Sequence, residues 1–150
     1  MIDMKGTVDE LVRQFEAIYV EHMRDLPIVN GRLAVEAVGF RQFEGHQLGV
    51  LITPWFMNLV LLPATDRWAD NAQGTMTALD FPSGKIDFTV TQDRELGTYL
   101  SAVLFCSVSD IPDQAKARDL AQQVMQNLFI EAKSERSVSR RELLTGVRRT

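Results

Sequence analysis

Few residues in this 150-residue chain are of types and spacings that do chemistry. It has two histidines, His22 and His46, and they are not spaced i, i+4. No H-E-x-x-H or G-x-S-x-G string occurs, so neither zinc hydrolysis nor a serine nucleophile is indicated. The single cysteine, Cys106, stands in the apolar run Val103-Leu104-Phe105-Cys106-Ser107-Val108. A catalytic thiolate needs an electropositive, partly open setting and a base, whereas a cysteine in an apolar strand is ordinarily a small hydrophobe. Action through Cys106, as a small thiol or redox protein, is therefore an alternative reading. One cysteine also excludes a disulfide framework, zinc knuckle or iron–sulfur site within one chain. Ser83-Gly84-Lys85 resembles the end of a phosphate-binding loop, but Leu79 stands where its first glycine belongs and Ile86 at its last position. With Pro82 the string is ordinary turn chemistry. These residues predict no enzyme, no cofactor and no metal.

Two other strings suit binding. In Thr53-Pro54-Trp55-Phe56-Met57-Asn58, Pro54 removes a backbone donor where one apolar segment ends and the next begins. Trp55, Phe56 and Met57 then crowd large side chains onto alternate faces of a short segment. The pattern reads as core plus one exposed aromatic, or as an apolar peptide-binding patch with Trp as anchor, Met as adaptable surface and Asn58 as polar contact. The second string is Ser139-Arg140-Arg141-Glu142-Leu143-Leu144. It resembles the twin-arginine export motif but lacks the long apolar segment that follows such a motif. It reads otherwise as a solvated basic tail.

Hydrophobic periodicity supplies the elements that must hold these strings. Thr7-Val8-Asp9-Glu10 has the pattern of a capping box, and Val8, Leu11, Val12, Phe15, Ile18 and Tyr19 follow at helical spacing to about Asp25. Short strands are predicted over 33–43, 47–53, 56–62, 75–81, 86–90 and 98–108, with turns at Glu44-Gly45-His46 and Pro82-Ser83-Gly84-Lys85. Connections too short for crossover helices favour an antiparallel sheet. Asp110 and Pro112 suit the start of a second helix, with Ala117, Leu120, Ala121, Val124, Leu128 and Phe129 as its apolar face. The expectation is an α+β fold: a mainly antiparallel sheet of five or six strands flanked by an N-terminal and a C-terminal helix. A single domain over 1–132 would carry a basic tail over 133–150.

Composition is that of an ordinary globular protein, with 45% hydrophobic and 24% charged residues. The formal net charge is −4, but residues 133–150 carry +4 and the remainder −8. An acidic body argues against a nucleic-acid partner. No stretch has the roughly 20 apolar residues of a membrane span, and no cleavable leader pattern opens the chain. A cytoplasmic protein without membrane insertion is expected, as a monomer or, through exposed sheet edges, a homodimer.

Leu51-Ile52-Thr53-Pro54-Trp55-Phe56-Met57-Asn58-Leu59-Val60-Leu61-Leu62-Pro63 resembles a motif of the HybE/HupJ-type [NiFe]-hydrogenase assembly chaperones. Phe81-Pro82-Ser83-Gly84, the strand from Tyr99 to Ser107, and Arg140-Arg141-Glu142-Leu143-Leu144-Thr145-Gly146 resemble the same family. The stretch after Cys106 departs from it, with Ser107-Val108-Ser109-Asp110 where many relatives read Ser-Leu-x-Ser-Pro. The resemblance implies non-enzymatic help in maturing an uptake [NiFe] hydrogenase. The implied partners are the small-subunit precursor, which carries a twin-arginine signal peptide, and other hydrogenase maturation proteins. Some relatives carry an attached rubredoxin, and no Cys-x-x-Cys stands here. The expected partner-binding residues are Thr53, Pro54, Trp55, Phe56, Met57, Asn58, Arg140, Arg141, Leu143 and Leu144. Arg140 and Arg141 would mimic the client's arginines at an acidic site, with Leu143 and Leu144 in an apolar groove. A structural adaptor docking by its basic tail is the remaining alternative.

Overall fold

Two consecutive strands with apolar residues on both faces belong inside a sheet and not at its edges, and that is where the chain puts them. The computed structural model describes residues 4–94, 96–105 and 108–130. Helix α1 (Met4–Ile18) precedes strands β1 (Glu36–Phe43), β2 (His46–Ile52), β3 (Met57–Leu62), β4 (Met76–Phe81), β5 (Gly84–Asp93) and β6 (Gly97–Phe105), and helix α2 (Gln114–Leu128) follows. The strands form one six-stranded antiparallel sheet in the order β1-β2-β3-β6-β5-β4. Six antiparallel strands flanked by an N-terminal and a C-terminal helix match the expected α+β fold. The basic tail lies outside the described residues.

The sheet wraps around α2. Phe43 closes β1 and Phe81 closes β4, the two outermost strands, yet their rings stack with centroids 4.6 Å apart. Phe129, just past α2, meets both rings edge-on, each at 6.1 Å. The Ser83 N–H donates to the Leu128 carbonyl at 3.2 Å, tying the β4–β5 turn to the same point. Ala117 and Ala121 are wholly buried, which lets α2 lie close to the concave face, and Val124, Met125 and Leu128 complete its inner stripe. Val38, Leu48, Val50, Leu59, Leu61, Phe88, Val90 and Leu100 fill that core from the sheet.

On the convex face α1 packs through Leu11, with Val8, Val12 and Phe15, against Leu51, Val60, Leu62 and Tyr99. Cross-strand partners share a face, so the register traces rows across it. One row runs Gly49, Val60, Ser101, Thr89, Met76. Gly49 and Val60 are buried, Ser101 and Thr89 are half-buried, and Met76 is 60% exposed. A second row runs Leu51, Asn58, Val103, falling from full burial to 61% exposure at Val103. The cover on this face therefore ends along β6, where Tyr99 is still buried beneath α1 and Val103 is exposed.

Several boundaries differ from the expected ones for physical reasons. Helix α1 already runs from Met4, so Thr7 lies inside it and not at its cap. Regular helix ends at Ile18, and a wide π-turn over Tyr19–Met23 follows, closed by the Arg24 N–H on the Tyr19 carbonyl at 2.8 Å. The second helix is capped by Asp113, whose carboxylate accepts the Lys116 N–H at 2.8 Å, not by Asp110. Pro112 disfavours helical backbone at Ile111, and residues 108–111 form a turn closed by the Ile111 N–H on the Val108 carbonyl. Strand β6 ends at Phe105; Cys106 and Ser107 lie outside the described residues.

Gly49 has no room for a side chain, since a Cβ there would overlap the Phe40 ring. Gly49→Ala is expected to lower unfolding free energy by about 1–3 kcal/mol in urea titration. The cost should shrink in the Phe40→Ala background, because the clash is with that ring. Equal costs in both backgrounds would rule the ring out as the constraint.

Candidate functional site

Strands β2 and β3 are joined by four residues, Thr53 to Phe56, and Thr53 builds that turn. Its N–H donates to the Phe56 carbonyl at 2.9 Å, while its hydroxyl oxygen accepts from the N–H groups of Phe56 (3.0 Å) and Trp55 (3.3 Å). Pro54 contributes a carbonyl, which accepts the Asn30 N–H at 2.7 Å. Asn30 is buried and ties three segments together. Its amide nitrogen donates to the carbonyls of Val108 (3.0 Å) and Ile111 (2.9 Å), and its side-chain oxygen accepts the Arg32 N–H at 3.0 Å. The turn, the segment after α1 and the segment before α2 are thus fixed at one end of the sheet.

The aromatic side chains at this end are shared with α1. Tyr19 stacks on Trp55 at 6.2 Å, and Phe15 lies 6.4 Å from Trp55 and 5.8 Å from Phe56. Trp55 and Phe56 are half-buried by this contact, Thr53 and Pro54 are buried, and Met57 points into the concave core, wholly buried. Asn58 faces the other way, beneath the edge of α1's cover, 9% exposed. Its Oδ1 is enclosed and has no hydrogen-bond partner. In the chain segment that follows Tyr19, Val20, Leu26 and Ile28 are exposed. Glu16, Glu21 and Asp25 stand in the same stretch against one arginine, Arg24.

The structure thus brings together six expected binding residues, Thr53 to Asn58, but only Trp55 and Phe56 among them offer appreciable surface. Arg140, Arg141, Leu143 and Leu144 lie outside the described residues. Sequence reasoning did not single out Asn30 or the Tyr19–Trp55 stack. Asn30-Gly31 reads only as a helix stop, and no local pattern reports a partner about 80 residues distant. Among the described residues no group of three or more His, Cys, Asp or Glu converges on a metal site, and no helix is long and apolar enough to cross a membrane.

Residues 6–146 match the family model described as [NiFe]-hydrogenase assembly, chaperone, HybE. The chain belongs to the HybE family. It is similar to the "Probable rubredoxin HupJ" of Rhodobacter capsulatus, with 44% identity over 81% of this chain and 44% of that one. It therefore spans under half of that relative's length. It is also similar to the "Hydrogenase expression/formation protein HupJ" of Bradyrhizobium diazoefficiens, with 41% identity over 91% of this chain and 80% of the other. The solution structure of HybE from Escherichia coli shares the fold, with a TM-score of 0.67, covering 88% of this chain and 87% of that one at 23% identity. The chain is accordingly a hydrogenase assembly chaperone of the HybE type.

His46, considered above as a chemical candidate, has a structural task in this HybE-type fold. Its Nδ1 accepts the Ala64 N–H at 2.9 Å, so the neutral ring carries its proton on Nε2, and the ring lies 5.2 Å from Trp68. Burial, and then the nearby charge of Arg67, hold its pKa below the usual 6.5, against a smaller opposite pull from Glu44. The neutral form is therefore favoured by folding. That contribution is complete above about pH 6.5 and is lost as pH falls through the lower folded pKa. The melting temperature should fall between pH 7 and pH 5, and His46→Phe should flatten that slope. Equal slopes for the two proteins would remove His46 as the cause. Glu36, whose pKa is lowered chiefly by its hydrogen bond from Arg118, loses its contribution only below its ordinary 4.5.

Proposed function

We propose that this chaperone acts in the cytoplasm on the small-subunit precursor of an uptake [NiFe] hydrogenase, and that its Trp55 end receives the apolar stretch of the precursor's twin-arginine signal peptide. The observation that carries the reading is the half-buried Trp55 stacked on Tyr19, with exposed Val20, Leu26 and Ile28 following Tyr19 in the chain and three carboxylates, Glu16, Glu21 and Asp25, in the same stretch of sequence. A signal peptide has the complementary order, a positive start followed by an apolar run. Opposite charge steers the encounter, while apolar burial around a fixed tryptophan supplies the affinity. Trp55 stands on a turn locked by Thr53 and tied to Asn30, so little ordering is lost there on binding.

The reading extends to the C-terminal string. Arg140, Arg141, Leu143 and Leu144 would act as a tethered mimic of the client, holding the site when no precursor is present. Such a segment needs little intrinsic affinity, because its effective concentration is around millimolar.

The test is titration of the chain with a small-subunit precursor in three forms: intact, with both signal-peptide arginines changed to Gln, and with the peptide removed. Binding is expected to weaken about tenfold or more when the peptide is removed. Undiminished binding to the mature subunit would overturn the signal-peptide reading and move the site to the folded client. Deleting residues 139–150 should tighten binding of the intact precursor. Unchanged affinity would end the mimic reading, and weaker binding would make the tail part of the client surface.

A further inference from the structure

Asn30 is followed by Gly31, whereas Asn58, Asn71 and Asn127 precede Leu, Ala and Leu. The Asn-Gly pair has a chemistry of its own. The backbone nitrogen after an asparagine can attack the side-chain amide carbon, and glycine, lacking Cβ, offers the least hindered nitrogen. A bond forms between Gly31 N and Asn30 Cγ, closing a five-membered succinimide, and the Gly31 amide proton passes to solvent base. The Cγ–Nδ2 bond breaks, and the nitrogen leaves as ammonia with a proton from water. Water then opens the ring at either carbonyl, giving aspartate or isoaspartate. The net change is hydrolysis of one amide, with water as the only co-reactant.

The fold gives Gly31 no structural reason to be glycine. A Cβ there would meet nothing within 4 Å, the residue is exposed, and its φ is not left-handed. Its N–H donates to no group among the described residues. Next to it the Arg32 N–H donates to Asn30 Oδ1 at 3.0 Å, which polarises Cγ towards attack. The nucleophile is free and the electrophile is polarised.

Restraint comes from the other bonds of Asn30. Its N–H donates to the Pro54 carbonyl at 2.7 Å, and its carbonyl accepts the Leu33 N–H at 3.1 Å. Nδ2, the nitrogen that must leave, donates to the carbonyls of Val108 and Ile111 at 3.0 and 2.9 Å. Asn30 is only 9% exposed. Ring closure has to turn the side chain towards Gly31 N and give up Nδ2, so it waits on local opening of this end.

We infer that Asn30-Gly31 is a deamidation site restrained by its own hydrogen bonds, and that conversion turns a transient opening of the Trp55 end into a permanent one. An ionised carboxylate at position 30 only accepts hydrogen bonds. It would face the carbonyls of Val108 and Ile111, which also only accept, in residues 1% and 7% exposed. Isoaspartate routes the backbone through Cβ and so undoes the turn that Leu33 closes on the Asn30 carbonyl. The chemistry needs no client and is independent of the signal-peptide reading.

The test incubates the full chain in native buffer and in denaturing urea at one pH. Mass spectrometry follows the amide-to-acid shift in the peptide containing residues 30 and 31, with Asn58, Asn71 and Asn127 as internal controls. Conversion at Asn30 should outpace the controls in urea and be at least about tenfold slower in the native chain. Gly31→Ala should slow conversion in urea about tenfold and melt at or slightly above the parent's temperature. Chain converted in urea, refolded and separated by its extra negative charge should melt several degrees lower. It should also exchange amide hydrogens faster over residues 53–56 and 108–111. Failure of the converted chain to refold, where Gly31→Ala treated in the same way refolds, would report the same loss in full. Equal rates in native buffer and urea would show that the hydrogen bonds do not restrain the site. Conversion in urea no faster than at the controls would remove the site. A Gly31→Ala chain melting well below the parent would return the glycine to a structural role and overturn the assignment. Converted chain with the parent's stability and exchange would overturn the lasting opening.

Discussion

The stacking of Phe43 on Phe81 is the constraint from which the rest of the architecture follows. In a flat six-stranded sheet the outermost strands would stand about 24 Å apart. Here their terminal rings touch, with Phe129 from the helix side closing the triangle and the Arg41 guanidinium 4.0 Å from its ring centroid. Such a contact is available only if the sheet curls through most of a half-turn. Curling makes the two faces unequal. The concave face becomes a trough that one helix with a stripe of small residues can fill, and α2 is that helix. The convex face becomes broader than one helix can cover, and α1 shields only its β2–β3–β6 side.

That inequality explains where the unusual local features gather. The π-turn after α1 and the enclosed Asn58 oxygen both occur at the limit of the cover. An extra residue in a helical turn shifts the faces of the residues around it, and such turns recur at functional sites. Here the turn starts at Tyr19, the residue that stacks on Trp55. An unpaired enclosed acceptor costs about 1–3 kcal/mol, a sizeable share of the stability of a domain this small. Leucine at position 58 would remove that cost. Its neighbours Leu51, Leu59 and Val60 show that apolar side chains fit this region well.

Much of the fold was legible because it is written in local patterns. Apolar runs marked β2 and β3 as strands, alternation marked β5, and Glu44-Gly45 and Pro82-Ser83 marked tight turns. What escaped depended on partners distant in sequence. Asp110 looks as good a cap as Asp113 until Asn30, whose amide holds the carbonyls of Val108 and Ile111, commits that stretch to a turn. Thr7 looks like a helix start because nothing local reveals that Met4 to Gly6 already continue the helix. The site was legible as a segment but not as a surface. Thr53 to Asn58 stood out by composition, yet the packing of Phe15 and Tyr19 decides how much of Trp55 and Phe56 stays exposed, and the concave core on the other face takes Met57 entirely.

An assembly chaperone must release what it holds, and the geometry of this face bears on that requirement. A deep apolar groove closed on all sides would bury a client segment fully and favour a long-lived complex. The uncovered strip offers instead a shallow row of side chains at the edge of a helix. Its apolar contact is limited, and its charges are screened by salt at the surface. Affinity on such a face stays moderate. Rigid support is still needed, because a weak site cannot also meet the cost of ordering itself. The central strands supply it: Leu51, Leu59 and Leu61 have no exposed surface, and the Thr53 turn holds β2 and β3 in register at the end where Trp55 stands.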